Sequence, residues 1–135
     1  MDSERGADSM VYSDECRRRF EAPAHAGPPG QGDTLRGTAR GREGDTEVVL
    51  WLARDPRAAW FQAHGCPWTI AGADLAAELW TAGREKIEAS DLAKGLGAPP
   101  EKMDVFLTIE DACRAALNAG GGNVPDGGSD VDQPD

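Results

Sequence analysis

The chain has 135 residues, a net charge of −10 and a pI near 4.6. That length suits one domain with a small core. The acidity predicts solubility, basic partners and no nucleic-acid footprint, and no apolar run approaches the roughly 20 residues of a membrane span.

In chain order, residues 1–9 read as a polar, disordered leader with Met10 as a candidate start, and the opening Met1-Asp2-Ser3-Glu4 does not resemble a secretory leader. Ser13 to Phe20 predicts a short helix, with Ser13 as its cap and Asp14 and Glu15 in the first turn. Residues 22–33 are rich in Gly and Pro and predict a loop. Two strands follow, Thr34 to Thr38 weakly and Thr46 to Leu52 strongly, the latter through its β-branched and large apolar residues. Arg54-Asp55-Pro56 predicts a turn that sends Arg57 to His64 back antiparallel.

The rest reads as helix. Cys66 to Thr81 carries Ile70, Ala73, Ala77 and Trp80 at helical spacing, with Gly83 as its stop. Ser90 to Gly95 predicts a short helix capped by Ser90. Pro99 to Ala119 predicts a longer one, whose apolar face is Met103, Phe106, Ile109, Cys113 and Leu117. Gly120-Gly121-Gly122 ends it, and the tail to Asp135 has four aspartates and no basic residue, as a disordered acidic coil does. Trp51, Trp60 and Trp80 are expected in the core. Strands followed by helices predict an α+β domain over 10–119, a three-stranded antiparallel sheet with helices packed on one face.

Three widely spaced cysteines, Cys16, Cys66 and Cys113, with no C-x-x-C pair, predict reduced thiols in the cytoplasm. Cys66 sits where a strand meets a helix. There the unpaired N–H groups of a helix start favour a thiolate, which suits a nucleophile, a persulfide carrier or a metal ligand. Cys113 falls on an apolar helix face and Cys16 in a short helix, so both read as packing residues.

Four stretches, in one order over residues 10–119, resemble the iron–sulfur cluster scaffold family of the IscU type and the NifU N-terminal domain. Met10-Val11-Tyr12-Ser13 and Phe20-Glu21-Ala22-Pro23 are similar to the opening M-x-Y-S…Y-E-N-P. Phe61 to Ala71 is similar to F-K-T-Y-G-C-G-S-A-I-A. Glu78 to Gly83 resembles the end of the following helix. Leu92 to Leu96, Pro99 to Lys102 and Glu110-Asp111-Ala112 resemble the chaperone-loop region and last helix. The resemblance implies the same α+β fold (SufE/NifU-like), a non-catalytic scaffold role, a cysteine desulfurase and an Hsp70-type chaperone as partners, and a monomer or dimer. Pro99, Pro100 and Lys102 match the chaperone motif L-P-P-V-K.

The resemblance also implies ligands: three cysteines and an acidic residue. Counted back from Cys66 without a gap, the A-C-G-D motif falls on Ala39-Arg40-Gly41-Arg42, so Arg40 and Arg42 replace a cysteine and an aspartate. The H-C pair falls on Asp104-Val105. Arginine has no lone pair to give a metal, and valine is inert. Weak or lost binding of an iron–sulfur cluster follows, with iron, zinc or persulfide handled through Cys66 and with His64 and Asp104 as weak helpers. Two rival functions stand beside this one. An interaction or regulatory protein could dock on the assembly machinery without building clusters. A thiol enzyme could use Cys66 as nucleophile and His64 as base if Gly65 keeps the strand extended.

Overall fold

A computed structural model describes residues 12–30, 32–41 and 46–121; the leader, Met10, Arg42 and the tail from residue 122 lie outside the described residues. The elements are α1 (Asp14–Glu21), β1 (Leu35–Arg40), β2 (Glu47–Arg54), β3 (Arg57–His64), α2 (Pro67–Thr81), α3 (Ala89–Leu96) and α4 (Met103–Gly121). The sheet is antiparallel in the order β1-β2-β3, an α+β arrangement. Period-two alternation turns Val48, Leu50, Leu52, Ala59 and Phe61 inward, where they are buried beneath the helices. Helix α2 lies on β3, α4 on β1, and α1 on the outer side of α2. No helix among the described residues is long and apolar enough to cross a membrane.

Local chemistry explains where the elements begin. The Ser13 hydroxyl accepts the Cys16 N–H at 3.0 Å and caps α1, while its own proton goes to the Leu96 carbonyl, tying α1 to the end of α3. Trp68, Trp80 and Phe106 are the largest fully buried side chains. Trp68 lies between Tyr12, at 5.8 Å, and an edge-on Phe106, at 6.4 Å. Its indole N–H has no acceptor among the described residues, and a buried donor left so costs about 1–3 kcal/mol against the ring's packing. Trp80 donates to the Ala53 carbonyl at 2.9 Å, and the Arg57 guanidinium stands 3.8 Å above its ring.

The structure corrects four expectations. Trp51 and Trp60 are register partners on the outward face of the sheet and are only half-buried, because their odd–even position opposes that of Leu50 and Phe61. Helix α3 starts at Ala89, one residue before Ser90, and its cap position is Glu88, which makes no side-chain cap bond. Pro100–Lys102 form a separate 3₁₀ turn, so the α-helical part of the last helix starts at Met103. Within the Gly/Pro loop, His25 to Gly27 runs beside β3: Phe61 donates to the His25 carbonyl at 3.0 Å and Gly27 to the Phe61 carbonyl at 2.8 Å. That short pairing covers β3's free edge.

Candidate functional site

The site is built by the passage from β3 into α2. His64 ends the strand, and Gly65 takes φ +150°, a backbone state that L side chains rarely adopt. A side chain there would also meet the Thr69 hydroxyl at 2.8 Å. Cys66 is the N-cap of α2, extended at φ −73° and ψ 168°, and its carbonyl accepts the Thr69 N–H at 2.9 Å. Pro67 follows at the first helical position, where its missing N–H costs nothing.

The Cys66 sulfur caps no backbone N–H; its polar neighbour is the Thr69 hydroxyl, at 3.6 Å. The residue is half-buried and leans on the main core, against which Val105 and Met103 also pack. Thr69, fully buried, was not anticipated from sequence. The spacing Cys-x-x-Thr, from N-cap to N3, is the signal that points to it.

The other candidates lie apart. His64 is exposed at the end of the open sheet face, in register with Glu47, which pairs in turn with Arg40. The Arg40–Glu47 contact is 3.5 Å between side chains 70% and 48% exposed, a surface ion pair of little worth. Gly65 stands between His64 and Cys66 at φ +150°, and among the described residues the hydrogen-bonding neighbour of the Cys66 sulfur is Thr69, not His64. Asp104 is exposed in the first turn of α4, and Val105 is half-buried. Pro99 caps the 3₁₀ turn that holds Pro100 and Lys102. Among the described residues, no three His, Cys, Asp or Glu side chains are placed so that they could hold a metal ion.

Cys16 and Cys113 are buried. Burial first, and the nearby Cys66 second, push the Cys16 thiol up from about 9 to about 12. Burial, with Glu110 adding and Arg114 opposing, does the same for Cys113. Near pH 8 the folded chain is therefore expected to take up iodoacetamide at Cys66 alone, with the other two reacting only after denaturation. Peptide mass spectrometry at increasing times reads the order, and early labelling of Cys113 would refute it.

The arrangement of a small antiparallel sheet and helices has a solved counterpart. It is a protein assigned as an iron–sulfur cluster assembly scaffold of the SUF system from thermophilic Fervidobacterium islandicum AW-1. It superposes with a TM-score of 0.60 over 81% of this chain and 98% of that one at 18% identity, a likeness of fold. No protein-family model matches the chain. Relatives in sequence are closer. The iron–sulfur cluster assembly scaffold protein IscU of Azotobacter vinelandii is 31% identical over 119 residues, 80% of this chain and 92% of that protein. That of Rickettsia prowazekii is 31% identical over 128 residues, covering 80% and 90%. The iron–sulfur cluster assembly enzyme IscU of Drosophila melanogaster is 30% identical over 118 residues, covering 79% and 76%. The chain belongs to the IscU family of iron–sulfur cluster assembly proteins.

Proposed function

We propose that this protein works in iron–sulfur cluster assembly as a scaffold-family member whose own hold on a cluster is weak or lost, and that Cys66 carries what metal or persulfide chemistry remains. The observation behind this reading is the state of its three thiols. Cys66 alone is within reach of solvent, and a cluster held by one thiolate lacks the others that such ligation needs. Arg40, Arg42 and Val105 are read as the substituted ligand positions. His64, on the open face, and Asp104, in an exposed turn, are weak helpers at most. The donor set gives zinc no support, since a structural zinc site takes four ligands. In persulfide handling, the Cys66 thiolate attacks the outer sulfur of a desulfurase persulfide. The S–S bond there breaks, a new one forms on Cys66, and the donor leaves as its thiolate. Pro99, Pro100 and Lys102 stand as the segment for an Hsp70-type chaperone. No catalytic turnover of its own is assigned to the chain.

Anaerobic reconstitution with ferrous iron and sulfide tests the reading. The native chain is expected to lose most visible absorption on desalting. Val105→Cys, which puts a thiol against the same core surface as Cys66, is expected to retain several-fold more, and adding Cys66→Ser is expected to remove that gain. A stable cluster on the native chain, near one per chain or per dimer, would show that ligation is intact and end the weak-binding proposal.

A further inference from the structure

At the end of the sheet away from Cys66, a cavity of about 570 Å³ opens between the start of β1, the β2–β3 turn and the last turns of α4. Its size falls within the range of about 300–1,000 Å³ in which ligand sites occur. The floor is Leu35, Leu52 and Leu117, part of a small second core with Trp80 and Ala116. The rim is Asp33, Thr34, Arg54 and Asp55.

The rim's charges are unequal in availability. Arg54 is already committed: its Nη1 donates to both oxygens of Glu85 at 3.0 and 3.1 Å, and its guanidinium lies 5.1 Å over Trp80. Asp33 and Asp55 have no ion-pair partner among the described residues. An apolar floor beneath two free carboxylates repels anions and suits an apolar side chain carried between cations. The chain's own residues 122–135 hold four aspartates and no cation, so the rim opposes them. The net charge of −10 draws basic partners over longer range.

We propose that this cavity docks a basic segment of a partner protein. A leucine-sized side chain rests on Leu35, Leu52 and Leu117, and flanking lysines or arginines meet Asp33 and Asp55. A smaller hollow of about 80 Å³ on the other side of Leu117, beside Ile87 and Arg114, lets a longer segment continue across α4.

The test uses the full isotope-labelled chain and a synthetic peptide, acetyl-Gly-Lys-Leu-Leu-Lys-Gly-amide, with its Glu-Leu-Leu-Glu counterpart as control. Amide shifts centred on Leu35, Leu52 and Leu117 are expected with the basic peptide and not with the acidic one. Asp33→Asn with Asp55→Asn is expected to weaken binding about tenfold, the worth of two exposed ion pairs, while leaving the melting temperature unchanged. No shift at millimolar peptide, shifts confined to other surfaces, or equal binding of the acidic peptide would overturn the proposal. Displacement of the 122–135 amides by peptide would assign the cavity to the chain's own tail. Shifts of the floor amides on concentrating the chain alone would assign it to a second copy. Either result would also overturn it.

Discussion

Gly37→Ala is expected to cost about 3 kcal/mol or more, a large share of the usual stability of about 5–15 kcal/mol. Gly37 sits in the middle of β1, in register with Leu50, and α4 lies directly on it. A Cβ there would come within 2.2 Å of the Ala112 carbonyl oxygen and 2.3 Å of the Ala116 nitrogen. Both are helix backbone, so no rotamer change relieves the clash; α4 must lift off the sheet. Ala112 and Ala116, one turn apart, are buried with no exposed surface, and Phe106 and Ile109 on the same helix fill the core beside them. Lifting α4 opens that whole seam. Gly30→Ala is the control: nothing lies within 4 Å of its Cβ position and its φ is not positive, so it should be near neutral. Urea unfolding of both variants reads the difference from the midpoint at constant slope. A cost below about 1 kcal/mol for Gly37→Ala would mean that α4 does not press on β1 as closely as described.

Such a contact is invisible to sequence periodicity, and it marks the boundary of what could be read ahead of the structure. Local signals were legible. The β-branched run before Leu52 and the turn at Asp55-Pro56 predicted the hairpin, and β3 spans Arg57–His64 as expected. Ser13 predicted the start of α1 because a cap acts within four residues. Which face of the sheet is covered is a global property. Trp51 and Trp60 are hydrophobic enough for a core, yet strand alternation gives the inward places to Leu50 and Phe61. The pairing of His25 to Gly27 with Phe61 was equally hidden, since it joins residues more than 30 positions apart through backbone groups that carry no sequence signature.

The site divides in the same way. The strand-to-helix junction at Cys66 followed from local pattern, as did the burial expected of Cys113. The expected approach of His64 to Cys66 rests on the conformation of Gly65, a non-local detail that the pattern of residue types does not carry, and the hydrogen-bonding neighbour of the sulfur among the described residues is Thr69. Arg40 was placed by counting along the chain. The structure shows it on the outward face beside Glu47, while Cys66 leans on the core side. Counting fixes a position in the sequence but not the face toward which the side chain turns.

Arg19→Met is expected to destabilise the fold by about 3–5 kcal/mol, the usual cost of removing one partner from a buried ion pair. Arg19 is nearly buried, with 6% of its side chain exposed, and it holds three carboxylates at once: Glu15 Oε2, Asp74 Oδ2 and Glu78 Oε1, each at 2.7 Å. Burial opposes its charge, but Glu78, Asp74 and Glu15 outweigh that opposition and hold its proton more tightly than usual. Asp74, 2% exposed, also accepts the His25 N–H at 2.9 Å, so the same carboxylate fastens α1 and the loop beside β3 to α2. Without the guanidinium, Asp74 keeps a buried charge with no cation. Arg19→Met with Asp74→Asn removes that charge while the amide oxygen can still accept from His25, and should recover at least half of the loss. Acid supplies a second readout. Hydrogen bonding from Arg18, partly offset by burial and reinforced by Arg19, holds the Glu15 carboxyl below its usual value of 4.5. A carboxyl held low in the fold stabilises it above the unfolded value, and that contribution disappears as the pH falls through the lower, folded one. The native chain should therefore weaken below about pH 4.5. The Arg19→Met variant should lose somewhat less over the same interval, because the share of Arg19 in holding Glu15 low is gone while that of Arg18 remains. Parallel acid titrations followed by tryptophan fluorescence check this, and identical pH profiles for the two proteins would show that the network contributes nothing beyond packing.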